Sequence, residues 1–78
     1  MIILDELNSI FQQVFCDDSL KITRETTAND IEDWDSLTHM NLIVFIEGQL
    51  NIKFGLKDLR RLDNVGDLLD VINVKLGN

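Results

Sequence analysis

Ser36 is the residue of this chain best placed to do chemistry. It stands between Asp35 and Leu37 in the stretch EDWDSLTHMNLIVFIEGQL, residues 32 to 50, where an acidic, tryptophan-containing loop runs into a strongly apolar segment. A hydroxyl in that place has two uses: a nucleophile if a neighbouring base activates it, or a point of covalent attachment if a separate enzyme does. His39 follows one helical turn later, on the same face as Ser36. A catalytic pair would also need a third group to orient the imidazole, a turn such as G-x-S-x-G to expose the hydroxyl, and enough chain for a pocket and an oxyanion hole. None of these is found in the 78 residues, so no catalytic residue is expected and His39 reads as a surface histidine, available to a partner. Attachment suits the position better. The first amides of a helix lack internal partners and the helix dipole adds about half a positive charge there, so a phosphate bonded to Ser36 would be stabilised. Asp35, just before it, is a candidate helix cap.

Two other constellations fail on inspection. Taken as an EF-hand with Asp30 in first place, the acidic loop puts Trp34 fifth, Asp35 sixth where glycine is required, and Asn41 twelfth where a bidentate glutamate belongs. Cys16 is the single cysteine and His39 the single histidine, which leaves neither an intramolecular disulfide nor a zinc-ligand set; no metal site is expected. Cys16 reads as a small hydrophobe near a helix end.

The elements that must position Ser36 follow from periodicity. In residues 2 to 16, Ile3, Leu7, Ile10, Phe11, Val14 and Phe15 keep the spacing of an amphipathic helix, with Asp5 and Glu6 in its first turn. Residues 17 to 35 lose the pattern and are rich in Asp, Ser, Thr and Asn, which compete for backbone hydrogen bonds, so a long loop is expected. A loop of that length must be packed by side chains of its own, and Leu20, Ile22, Ile31 and Trp34 are the candidates. From Ser36 to Leu50 a second helix places Leu37, Met40, Ile43, Val44 and Leu50 at helical spacing, widened by Leu42, Phe45 and Ile46; a helix this apolar must be central. A short helix is expected over 56 to 61, and a last one after the candidate cap Asn64, with Val65, Leu68, Leu69, Ile72 and Leu76 facing the core and an end before Gly77. The expectation is an all-α fold in one domain, residues 1 to 78: a small four-helix bundle of three longer helices and a short third one.

Composition limits the partners. Fourteen acidic residues against seven basic ones give a net charge of −7, which repels phosphate backbones and anionic headgroups, so no nucleic acid is expected. No apolar stretch approaches the roughly 20 residues that span a bilayer, and the start of the chain lacks the basic and small-residue marks of a secretory signal. Membrane insertion is not expected, and a cytoplasmic location is. A basic patch on a partner protein is the natural complement.

The sequence Asp35-Ser36-Leu37 at the start of the second helix, with Met40, Leu42 and Glu47 after it, a long loop before and a short third helix beyond, resembles the acyl carrier protein family over essentially the whole chain. The resemblance implies that Ser36 carries a 4′-phosphopantetheine arm derived from coenzyme A. Its thiol would hold acyl groups as thioesters and deliver them to enzymes of fatty-acid, polyketide or related biosynthesis. It implies a phosphopantetheinyl transferase that supplies the base and Mg²⁺, acyl-processing or acyl-activating enzymes as further partners, and contacts to them through Asp35, Leu37, Met40 and Glu47. A monomer is expected. Alternatives are a peptidyl or D-alanyl type carrier and an unmodified helical adaptor.

The chain also departs from the family's usual pattern. Residues 36 to 52 contain one acid, Glu47, whereas residues 25 to 35 hold Glu25, Asp30, Glu32, Asp33 and Asp35 without a base. Residues 53 to 62 carry Lys53, Lys57, Arg60 and Arg61 against Asp58 alone, a distribution that suggests a specialised rather than a housekeeping carrier. Trp34 stands where smaller residues are common, either packing the loop onto the bundle or touching the arm or a partner.

Overall fold

A computed structural model describes residues 2–32 and 34–77, and within them four helices follow one another: α1 (Leu4–Phe15), α2 (Ser36–Leu50), α3 (Leu56–Leu59) and α4 (Val65–Lys75). No strand is formed among the described residues, so the all-α bundle expected from the sequence is the fold observed. Leu7, Ile10 and Phe11 of α1 meet Leu42, Ile43 and Ile46 of α2, and Val65, Leu68, Leu69 and Ile72 of α4 complete the same core. Burying each such aliphatic side chain contributes about 1.5–3 kcal/mol, the term on which so small a core depends.

The helix ends have local causes. Asp35 and Asn64 cap α2 and α4, each accepting from the backbone N–H three residues on, Thr38 and Asp67. Cys16 and Asn51 close α1 and α2 in the left-handed conformation, at φ 53° and 55°. Cys16 is therefore an exposed helix terminator and does not pack as a hydrophobe. For the same reason α1 ends at Phe15, and it begins at Leu4, two residues later than expected, because Ile3 is its extended cap. Ile3 is consequently exposed, and Ile2 takes the buried place. Its N–H and C=O are held by the Asn73 amide of α4 at 2.8 and 3.1 Å. The short helix stops at Leu59 rather than at residue 61, with Arg60 and Arg61 in the turn that follows.

One expectation about α2 is overturned. Val44 stands at helical spacing with Ile43 in a helix expected to be central, but it is 61% exposed, on the outward side that Leu37 and Met40 also occupy. The helix is apolar around its circumference, so spacing alone does not fix which side α1 and α4 cover; the covered residues are Leu42, Ile43 and Ile46.

The long loop is tied down by identifiable contacts. Ile22 and Ile31 are buried and Leu20 and Trp34 partly so, as the sequence suggested. Asn8 of α1 accepts from the Ile22 N–H at 2.8 Å and donates to the Leu20 carbonyl at 3.2 Å, and Gln12 donates to the same carbonyl at 3.0 Å. Further on, the carbonyls of Thr26 and Arg24 accept from Val65 and Gly66 at 2.8 Å each, so the loop satisfies the first amides of α4. That approach leaves no space for a side chain at Gly66, whose added Cβ would lie 2.9 Å from the Arg24 carbonyl oxygen.

Candidate functional site

The loop and α2 meet at Trp34-Asp35-Ser36. Trp34 is half-buried, its ring edge-on to Phe11 at 5.3 Å between centroids and 81°, with Phe15 at 6.2 Å. Two aromatic residues of α1 therefore fix the residue that leads into the site. Asp35 then turns its carboxylate onto α2, where Oδ1 accepts from the Thr38 N–H at 2.9 Å and from the Thr38 hydroxyl at 2.8 Å. These hydrogen bonds stabilise the charged form, and the Asp35 carboxyl lies below its ordinary value, with the Thr38 amide as the largest cause.

Ser36 is the first residue of α2 and is exposed, and its hydroxyl makes no hydrogen bond to any described residue. It opens onto a cleft of about 520 Å³, walled by Trp34, His39 and Met40 on its own side and closed by Ala28 of the long loop and by Leu62 and Asp63 of the α3–α4 connection. Chemically the position offers a free hydroxyl, the positive end of a helix dipole, and a mostly apolar trough in which a long substituent can lie.

His39, read from the sequence as a surface histidine, lines the cleft and is tied to Trp34. Its Nδ1 accepts from the Trp34 indole N–H at 3.0 Å, the two rings stack at 5.9 Å and 21°, and the imidazole is partly buried. Burial pushes its protonation below the ordinary value of 6.5. Because Nδ1 accepts from Trp34, the neutral ring carries its proton on Nε2 and has no lone pair free to take one from Ser36, and no hydrogen bond joins the two residues.

The other residues singled out from the sequence lie in two places. Leu37, 73% exposed, and Met40, 48% exposed, stand beside Ser36, and Val44 continues that apolar surface along α2. Glu47 lies eleven residues further along α2, roughly 16 Å at 1.5 Å per residue, so it is not part of the same cluster. It is half-buried and accepts from the Phe54 N–H at 2.8 Å, which holds the segment after α2 against that helix. Glu25, Asp30 and Glu32 of the acidic run are exposed, while Asp33 lies outside the described residues. Of the basic segment, Lys53, Lys57, Arg60 and Arg61 are exposed, and its one acid, Asp58, is bonded to Lys75 of α4 at 2.8 Å. Ala28, Leu62 and Asp63 were not anticipated as cleft residues; they arrive from two connections that are remote from Ser36 in sequence, and no local pattern marks them.

Comparison with known proteins agrees with this arrangement. No family model matches the chain. The acyl carrier protein of Thermotoga maritima is 29% identical over 75 residues, a match spanning 96% of this chain and 93% of that protein. The solution NMR structure of a holo acyl carrier protein from Geobacter metallireducens superposes with a TM-score of 0.92 at 59% sequence identity, covering 97% of this chain and 87% of that one. The chain belongs to the acyl carrier protein family. As an acyl carrier protein it is a carrier and not an enzyme, which accounts for a histidine and a serine one turn apart that are not arranged for catalysis. No described helix is long and apolar enough to cross a membrane.

Proposed function

We propose that Ser36 of this acyl carrier protein bears a 4′-phosphopantetheine arm, and that the chain, residues 1 to 78 acting as one monomeric domain in the cytoplasm, shuttles acyl groups between separate enzymes. The observation that carries this reading is the free, exposed hydroxyl of Ser36 at the N-terminus of α2, opening onto the cleft. The Geobacter relative, whose structure is of the holo form, supports it. When attached, the arm supplies a thiol that holds acyl groups as thioesters. Everything else falls to the protein. The Phe11–Trp34 contact and the Asp35 cap fix the start of α2, so the attachment point has a defined direction. The first turn of α2 presents its positive end to the phosphodiester. The cleft walls, Trp34, Met40 and Leu62, offer apolar surface to what hangs from Ser36.

Activation of Ser36 would belong to a phosphopantetheinyl transferase, which takes the hydroxyl proton as Oγ attacks the pantetheine-side phosphorus of Mg²⁺-bound coenzyme A; the pyrophosphate bond breaks and adenosine 3′,5′-bisphosphate leaves. Leu37 and Met40, exposed beside the serine, are the apolar anchors for that enzyme and for the acyl-processing or acyl-activating enzymes that follow, with the Asp35 carboxylate next to them for orientation. Glu47 marks a second contact point further along α2. The cargo belongs to fatty-acid, polyketide or related biosynthesis.

Incubation with coenzyme A, Mg²⁺ and a broad-specificity transferase should add one phosphopantetheine, seen by intact-protein mass spectrometry, and Ser36→Ala should remain unmodified. A folded wild-type protein left unmodified by several transferases would contradict the reading and favour a helical adaptor that binds through the same face.

A further inference from the structure

The Trp34–His39 pair shapes the cleft, and its hydrogen bond fixes more than a position. His39 Nδ1 accepts from the Trp34 indole N–H at 3.0 Å. A neutral imidazole that accepts at Nδ1 carries its proton on Nε2, so the remaining ring nitrogen is a donor. That donor makes no hydrogen bond to any described residue, although His39 lines the cleft together with Ser36. Helical side chains lean toward the N-terminus of their helix, and residues three apart share a face, so His39 leans over the turn that begins with Ser36. Phe11 and Phe15 hold Trp34 from behind, which makes the tautomer and the ring plane of His39 consequences of the core.

We propose that His39 is a positioning residue for the group on Ser36: its Nε2–H donates a hydrogen bond to a non-bridging oxygen of the phosphodiester formed at Ser36 Oγ, and so directs the arm along the cleft. The inference rests on the reading of Ser36 as the attachment point. It explains why an imidazole is kept as a neutral acceptor for Trp34 when a phenylalanine would fill the same space. It also gives the unused donor of a cleft residue an anionic partner. The other titratable groups of the cleft are Asp35 and Asp63, while the α1 residues behind the pair, Phe11 and Phe15, carry no charge.

The test compares the full-length apo protein with holo protein whose modification is verified by mass. NMR follows the His39 imidazole against pH in both forms and the ³¹P resonance in the holo form. An anion at Nε2 favours the protonated ring, so the His39 midpoint should rise on modification, by roughly half to one pH unit. The ³¹P resonance should move with the same midpoint, and in His39→Gln, which retains a donor but does not titrate, that movement should vanish. The wild-type comparison needs no variant to fold. Equal His39 midpoints in apo and verified holo protein, with a ³¹P resonance indifferent to them, would overturn the assignment and leave the Ser36 reading standing. Failure of Ser36 to accept the arm at all would overturn both.

Discussion

His39 and Asp35 stand on either side of Ser36 in the sequence, and both stabilise the fold in their deprotonated forms, over different ranges of pH. Burial against Trp34 lowers the protonation of His39 in the fold relative to the unfolded chain. Between the two values the unfolded state binds the proton more readily, so the stability tied to neutral His39 is fully present above the ordinary value of 6.5 and is lost as pH falls through it toward the folded value. Protonation also removes the acceptor that Trp34 uses. Thermal unfolding of the apo protein should therefore show a midpoint that declines as the solution is acidified through the histidine range, and His39→Phe should flatten that part of the profile. A wild-type profile already flat there would show that the pair does not couple to folding. Asp35 behaves in the other sense of charge: its carboxylate is held below 3.8 by the Thr38 amide, so its contribution is present above that value and disappears only in stronger acid. At neutral pH the start of α2 has both its cap and its aromatic lock in place.

At the scale of elements, α2 is the test of how the bundle is put together. Leu42 is fully buried and Val44 is 61% exposed, two residues apart on one helix. Leu42→Ala should cost about 2–5 kcal/mol, whereas Val44→Ala should stay within about 0.5 kcal/mol, both read from chemical denaturation. Equal costs at the two positions would mean that α2 is rotated from the orientation described. The bounds of α2 were legible beforehand because Asp35 and Asn51 punctuate it, and Asn64 announced α4 in the same way. The facing of α2 was legible at Leu37 and Met40, which the resemblance marks as partner contacts and which are exposed, but not at Val44, which is as apolar as Leu42, Ile43 and Ile46 and is told apart only by the positions of α1 and α4. The clamps that order the long loop escaped notice for a related reason. Asn8 and Gln12, like Asn73 that holds Ile2, look like ordinary exposed polar residues of amphipathic helices, and their partners lie elsewhere in the chain. Ser36 itself was legible, because a hydroxyl at a loop-to-helix junction is a local feature. Its partnered neighbour His39 was not, because the Trp34 bond depends on two phenylalanines of α1.

For the whole molecule, charge is divided, and the apolar anchors Leu37 and Met40 follow directly on the acidic segment. The net charge is −7, with Glu25, Asp30, Glu32 and Asp35 ahead of Ser36 and Lys53, Lys57, Arg60 and Arg61 after α2. Such a distribution orients a partner whose own charges are arranged in the opposite sense, and it does so chiefly during encounter. Exposed charges are screened beyond about 8 Å at physiological ionic strength, so modification by a transferase should slow as salt rises, through a higher KM. Leu37→Ala should reduce the same reaction by a factor that salt leaves unchanged, because its contact is apolar. A rate indifferent to salt would remove steering from the account. Intact-mass analysis and peptide mapping of the protein purified from its native host would show what Ser36 carries. A single phosphopantetheine should be found on the peptide that contains Ser36. A protein wholly unmodified in its host, or modified at another residue, would contradict it.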